Sequence, residues 1–188
     1  QGGSSALVSF WGSGAFIGSH FGSQLFDFSS GGTLSLTGGT VGNGNVADIS
    51  TENGTQTIGG LVAPTITLTG GANGGGEDDG NSAVLYATGA QTINANGIVL
   101  QGGASGTQNM ARIHALRSQA ISVASGGLHL TGGGGGLTDS MNGALIYQDV
   151  LIPAGNSQTI AVGSGGSITL QAGNSSASRS RGRSRTNR

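Results

Sequence analysis

Residues 91–103 read QTINANGIVLQGG, and this stretch decides the fold. It begins with the motif Q-x-I, turns at a short corner that contains Asn96 and Gly97, and continues as an apolar-x-Leu pair that ends at two glycines. Apolar and polar residues alternate on both sides of the corner. This pattern is typical of strands with one buried face and does not fit the 3.6-residue period of a helix. We therefore predict two short strands separated by a tight corner.

The same motif recurs along the chain, which indicates a repeat architecture. Its glutamine stands at Gln24, Gln56, Gln91, Gln119 and Gln158, with spacings of 32, 35, 28 and 39 residues. The apolar pairs that follow are Leu34/Leu36, Ile66/Leu68, Ile98/Leu100, Leu128/Leu130 and Ile168/Leu170. A third alternating element lies at 47–49, 83–87, 111–115 and 144–147, and residues 6–10 fit the same template. Each repeat is therefore expected to hold three short strands.

Strands this short do not make a stable meander of hairpins, but they can pair in parallel when successive coils stack about 4.8 Å apart. We predict an all-β fold, a parallel β-helix (β-solenoid) of about five coils with three short strands per coil. The 40 glycines suit its many corners, which require positive φ. The five glutamines are expected to form a structural ladder in which stacked side-chain amides hydrogen-bond along the axis.

The motifs Q-T-I, G-x-I-x-L-x-G-G and A-x-I-x-A follow one another in this order over residues 23–173. In this respect the sequence resembles the glycine-rich repeat regions of filamentous haemagglutinin-like exoproteins of Gram-negative bacteria. The resemblance implies a right-handed parallel β-helix exported to the cell surface or beyond, with roles in adhesion, biofilm matrix or filament formation. It carries no residue of known function onto this chain.

Composition narrows the class of protein. Charged residues are only 8% of the chain and cysteine is absent, so neither a disulfide framework nor a thiolate metal site can form. The chain opens at Gln1, which fits the removal of a leader from a precursor. No run approaches the roughly 18 apolar residues of a membrane helix, so we expect no membrane partner. We expect an extracellular or cell-surface location.

The two ends of the sequence differ from its repetitive middle. Residues 1–22 are rich in aromatic side chains and are interpreted as an N-terminal cap or assembly segment, with Phe10, Trp11, Phe16 and Phe21 as its self-assembly contacts. Residues 23–173 hold the solenoid repeats. Residues 174–188 form an Arg/Ser-rich tail that is expected to be extended. Specific contacts of the protein are therefore expected at its ends.

Two further groups of residues are candidate sites. The outward position of the third strand holds Tyr86, His114 and Tyr147, preceded by Ser9 and Ser50 in earlier repeats, and such a surface aromatic column could stack on sugar rings or on a neighbouring filament. The acidic cluster Glu77, Asp78 and Asp79 is the one place where oxygen ligands for calcium gather. We interpret it as a solvated loop tip and expect no metal site.

The sequence does not suggest an enzyme. Carbohydrate lyases and hydrolases also use parallel β-helices, but they need acidic and basic side chains gathered in a groove, and this chain has no lysine. We expect no cofactor and no nucleic-acid partner. The expected function is a secreted structural protein whose partner is itself, stacked head to tail in an extracellular filament or matrix. The alternative is a monomeric surface adhesin module that binds glycans or host and matrix surfaces.

Overall fold

The computed structural model of the chain describes residues 14–74, 80–135, 141–149 and 156–174. These residues form short β-strands and no helix, so none of them belongs to a helix long and apolar enough to cross a membrane. The strands are β1 (Ala15–Ser19), β2 (Gln24–Asp27), β3 (Thr33–Thr37), β4 (Ala47–Thr51), β5 (Gln56–Gly59), β6 (Thr65–Thr69), β7 (Ala83–Ala87), β8 (Gln91–Ala95), β9 (Gly97–Gln101), β10 (Ala111–Ala115), β11 (Gln119–Val123), β12 (Leu128–Thr131), β13 (Ala144–Gln148), β14 (Gln158–Val162) and β15 (Ile168–Gln171).

Every third strand belongs to the same sheet, and all neighbouring strands pair in parallel. The alanine sheet, in which each strand begins with alanine, has the order β1-β4-β7-β10-β13. The glutamine sheet, in which each strand begins with glutamine, has the order β2-β5-β8-β11-β14. The third sheet, called the leucine sheet because each of its strands contains leucine, has the order β3-β6-β9-β12-β15. Since the chain returns to each sheet once per coil, the predicted β-solenoid with three strands per coil is confirmed.

The core is a stack of aliphatic side chains that all three sheets supply. Leu85 from the alanine sheet, Ile93 from the glutamine sheet and Leu100 from the leucine sheet are completely buried. Equivalent residues lie directly above and below them, as Ile93 does between Ile58 and Ile121. Burial of one such side chain stabilises the fold by about 1.5–3 kcal/mol. The alternating pattern of the sequence therefore places every second side chain of a strand inside this narrow core.

Glycine is required where successive coils touch backbone to backbone. After each strand of the leucine sheet the chain turns through a glycine, and these glycines lie one above another at Gly39, Gly71, Gly103, Gly133 and Gly173. A Cβ atom at Gly103 would fall well inside van der Waals distance of the Gly71 carbonyl oxygen, and one at Gly133 would do the same to Gly103. The absence of a side chain therefore allows the coils to approach to β-sheet spacing at this corner.

The first strand of the alanine sheet was predicted wrongly. Residues 6–10 were expected to form this strand because they fit the template of the third element, but the place beside β4 belongs to β1, with Ala15 opposite Ala47 and Ile17 opposite Ile49. Residues 6–10 lie outside the described part of the chain. Strand β1 falls inside the 1–22 segment that was interpreted as an N-terminal cap or assembly segment, so the described solenoid strands already begin at Ala15.

Candidate functional site: the ends of the solenoid and the outer face of the alanine sheet

The five glutamines form one continuous ladder of side-chain hydrogen bonds inside the glutamine sheet. The donor–acceptor distances along it are 3.1, 2.7, 2.7 and 2.7 Å. Gln56, Gln91 and Gln119 are at most 1% exposed. The amide of Gln56 also donates to the backbone carbonyls of Ile49 and Tyr86 in the adjacent alanine sheet, at 3.2 and 3.3 Å. The ladder therefore satisfies buried amides and ties two sheets together.

The ladder has a direction. In every step the Nε2 of the later glutamine donates to the Oε1 of the earlier one, as Gln56 donates to Gln24 and Gln158 donates to Gln119. Gln24 consequently directs its Nε2 away from the ladder, where it donates to the Ile17 carbonyl at 3.2 Å. At the opposite end Gln158 donates through its Nε2 to Gln119, and its Oε1 is the terminal acceptor atom of the ladder. One end of the ladder thus offers a donor and the other an acceptor.

A second ladder, of asparagines, was missed in the sequence. Asn45, Asn81, Asn109 and Asn142 each stand two residues before a strand of the alanine sheet and are at most 6% exposed. The Oδ1 of each later asparagine accepts the backbone N–H of the preceding one, at 2.9, 2.7 and 2.9 Å. The recurring N-x-A that precedes these strands was the available signal. This ladder fixes the entry of the chain into every coil from the second to the fifth.

The core is open at both ends of the solenoid. At the β1 end Ile17 is 54% exposed, although its register partner Ile49 is only 4% exposed. At the β15 end Ile168 is 53% exposed and stands in register with Leu128, which is 3% exposed. Leu170, the next inward residue of β15, is 74% exposed. Positions that are buried inside the stack are therefore left in contact with solvent in the terminal coils.

The aromatic column on the outer face of the alanine sheet is assembled as a stack. The rings of Tyr86 and His114 are 5.1 Å apart, and those of His114 and Tyr147 are 4.0 Å apart with an angle of 17° between their planes. Ser50 and Gly18 continue the column toward β1, so Gly18 takes the place expected for Ser9, which lies outside the described residues. The His114 and Tyr147 rings are therefore stacked face to face, and the Tyr86 ring is tilted against that of His114.

Charged groups flank this aromatic column. Arg112 lies beside it and close enough to Asp48, two strands away, to favour the charged form of that carboxylate. Burial nevertheless raises the pKa of Asp48 above 3.8, opposed by a hydrogen bond from the Ser50 hydroxyl at 2.9 Å. Burial, followed by the Arg112 charge, lowers the pKa of His114 below 6.5, while Asp149 opposes this shift. Burial is thus the main cause of the pKa shift of both Asp48 and His114.

His114 is only 9% exposed, and its Nε2 has no hydrogen-bond partner in the described part of the chain. The nearest carboxylate oxygen, Asp149 Oδ2, is 3.9 Å away. A general base needs a hydrogen bond to the proton that it removes and access to the substrate that carries it. His114 is enclosed between two tyrosine rings, so this arrangement favours packing of the outer face over acid–base chemistry.

Because of His114, we expect the free energy of unfolding to decrease as the pH falls below 6.5. The folded state resists protonation of a group whose pKa it lowers, whereas the unfolded chain takes up the proton near 6.5, so stability is present above this pH and is lost below it. His114→Phe keeps a ring in the stack and removes the titration. The difference in Tm between wild type and variant should change by a few degrees between pH 7.5 and 5, as measured by thermal unfolding. A difference that is constant with pH would contradict this assignment.

The predicted assembly residues are only partly described. Phe16 lies on the outer face of β1 and is 63% exposed, and Phe21 is 80% exposed. The ring of Phe21 meets that of His20 edge to face at 4.5 Å, and His20 Nδ1 lies 2.5 Å from Glu52 Oε2. Phe10 and Trp11 lie outside the described residues. The described aromatic side chains of this segment are therefore open to solvent at the β1 end.

The remaining candidate sites are only partly described. The calcium candidates Glu77, Asp78 and Asp79 lie outside the described residues, as does the tail from residue 175 onward. Within the described ranges, no group of three His, Cys, Asp or Glu side chains is placed to hold a metal ion. His129 lies on β12 of the leucine sheet, with its Nε2 3.3 Å from the Gly126 carbonyl oxygen.

In comparisons with known proteins, no family model, curated protein or solved structure matched this chain.

Proposed function

We propose that this chain is a secreted structural protein that forms, or contributes to, an extracellular filament or matrix by head-to-tail stacking of β-solenoids. The observation that carries the proposal is the exposure of core positions at both ends, with Ile17 at one end and Ile168 and Leu170 at the other. An exposed strand edge with apolar residues beside it is a template for pairing with another chain. A second copy supplies the matching edge.

The composition supports the same proposal. A chain with only 8% charged residues has few of the inward charges and charged edges by which natural sheets avoid edge-to-edge pairing. The terminal strand β15 carries Ile168, Thr169, Leu170 and Gln171, which include neither a charge nor a proline. The resemblance to filamentous haemagglutinin-like exoproteins also favours an extracellular or cell-surface filament.

The alternative function, a monomeric module that binds glycans through the aromatic column, has less support. Sugar binding by stacking requires an exposed ring face. In the aromatic column the faces of His114 are covered by Tyr86 and Tyr147. Only the outer faces of the two tyrosines remain, and that of Tyr147 lies toward the open end of the solenoid.

The proposal predicts that the purified chain forms filaments and that one charge at an open end prevents them. Leu170→Asp places a carboxylate on an inward position of β15 that is already 74% exposed, so the monomer should fold as before. Burial of this charge in an interface would leave it without a partner, at a cost of about 3–5 kcal/mol. We expect negative-stain electron micrographs to show wild-type filaments and no filaments of the variant.

Thr169→Asp is the matched control, because Thr169 is the outward neighbour on the same strand and is exposed. Its filaments should persist. Circular dichroism of both variants should match that of the wild type. A wild-type chain that remains monomeric by sedimentation at high concentration would overturn the proposed function, as would filaments of Leu170→Asp equal to those of Thr169→Asp.

A further inference from the structure

We infer that the assembly has one direction and one register: the β13–β15 end of each subunit binds the β1–β3 end of the next, and the glutamine ladder continues from Gln158 to Gln24. This inference rests on the proposed function and deepens it by assigning the interaction surface. The partner is a second copy of this chain, related to the first by translation along the solenoid axis.

The direction follows from the glutamine ladder. Its last described acceptor is Gln158 Oε1 and its outermost donor is Gln24 Nε2, which spends one N–H on the Ile17 carbonyl. Gln56, in the equivalent position one coil further, makes the corresponding bond to the Ile49 carbonyl and also donates to the preceding glutamine, Gln24. The second N–H of Gln24 is thus available for the same step. Joining two like ends would oppose donor to donor or acceptor to acceptor.

The register follows from the strand count. Each sheet holds five strands, so all three sheets end in the same coil and one translation pairs all of them. Such a stack places Ile146 of one subunit on Ile17 of the next, and Leu170 on Leu36. These are the residue types that already lie above one another within the chain, as Ile113 and Ile146 do. A shift by one residue would turn every inward side chain outward.

The outer face of the alanine sheet is also complementary between its two ends. Tyr147 ends the aromatic column at β13, and Gly18 occupies the same column at β1, where a Cβ atom would meet nothing within 4 Å. Leu145 would lie over Phe16, which is 63% exposed in the single chain. In the proposed stack the Tyr147 ring of one subunit thus lies over the open space beside Gly18 of the next subunit. This placement gives Phe16 a role in assembly at the edge of the interface.

The chain lacks cysteine, so the inference can be tested by disulfide formation. The outward residues Leu25 of β2 and Thr159 of β14 share one column of the glutamine sheet. In the proposed stack their Cα atoms lie about 4.8 Å apart across the interface, within the roughly 4.4–6.8 Å of disulfides. Within one subunit they stand at opposite edges of the sheet, roughly 19 Å apart, and cannot bond. The chain carrying Leu25→Cys and Thr159→Cys should convert from monomer to a ladder of covalent oligomers on mild oxidation.

Three control chains make the test specific. Leu25→Cys with Ala161→Cys moves one thiol two positions along β14, about 7 Å, and should not form the covalent ladder. Leu25→Cys alone and Thr159→Cys alone should give no covalent dimers. Filaments in which the 25/161 pair forms the covalent ladder, or in which either single substitution gives dimers, would overturn the register or the direction while filament formation stands. Absence of filaments and of oligomers from every chain would overturn the proposed function itself.

Discussion

Replacing Gln91 by glutamate is expected to destabilise the folded chain by about 3–5 kcal/mol at pH 7, because it buries a carboxylate without a compensating positive charge. Gln91 is 1% exposed and joins Gln119 to Gln56 through hydrogen bonds of 2.7 Å on each side. A carboxylate can still accept from Gln119. It cannot donate to Gln56, and it places a negative charge against the side-chain oxygen Oε1 of Gln56. The measurement is urea unfolding followed by circular dichroism.

The same variant should recover stability as the pH falls. Burial raises the pKa of the introduced carboxyl above its unfolded value of about 4.3. In the pH window between about 4.3 and this raised pKa, the folded state binds more protons than the unfolded chain. Stability is therefore lost as the pH rises through the window and regained as it falls. The protonated group can again donate to Gln56. Thr92→Glu, on the exposed outward neighbour, is the control and should change stability little at either pH. A loss for Gln91→Glu that is equal at pH 4 and pH 7 would contradict the ladder.

The second large effect concerns the glycine corner. Gly103→Ala is expected to destabilise the chain by about 3 kcal/mol, because the added methyl group would overlap the Gly71 carbonyl oxygen and the Asn109 side chain. Neither neighbour can move freely. The Gly71 peptide belongs to the adjacent coil, and Asn109 is held by the asparagine ladder. The midpoint of urea unfolding measures the loss.

Gly163→Ala provides the matched control, since a Cβ atom there would make ordinary contacts of 3.5–3.8 Å with Ala124 and Val123. Gly163 also lies at an exposed corner, and its substitution should change stability by no more than about 0.5 kcal/mol. Equal losses for the two variants would show that glycine matters through backbone flexibility in general. The proposed contact between coils at Gly103 would then be wrong.

The sequence predicts the fold because its signals are repeated. The period of the glutamines and the apolar-x-Leu pairs fixes which strands are equivalent, and parallel stacking then places them in register. Even loops of different length leave this result unchanged. The aromatic column also follows from strand alternation, since Tyr86, His114 and Tyr147 share one outward position.

The errors arise where a pattern was judged without its spacing. Ala47 precedes Gln56 by nine positions and Ala15 precedes Gln24 by the same nine, whereas residue 6 stands eighteen positions before that glutamine. Spacing therefore distinguishes β1 from residues 6–10, whereas alternation alone does not. The burial of His114 and the proximity of Arg112 to Asp48 depend on which strands become neighbours and on what covers the sheet. Strand alternation assigns a side of the sheet and does not determine exposure.

The position of the asparagine ladder has a consequence for engineering. The long connections at 38–46, 70–82, 102–110 and 132–143 all leave the leucine sheet and return to the alanine sheet at one corner of the coil. Each returns through one of the ladder asparagines, which fix the strand that follows. Because the entropy of closing a loop grows only slowly with its length, foreign peptides can be grafted here while strand pairing is kept. Grafts in several coils would form a row of displayed peptides along a single side, spaced by the strand separation of about 4.8 Å.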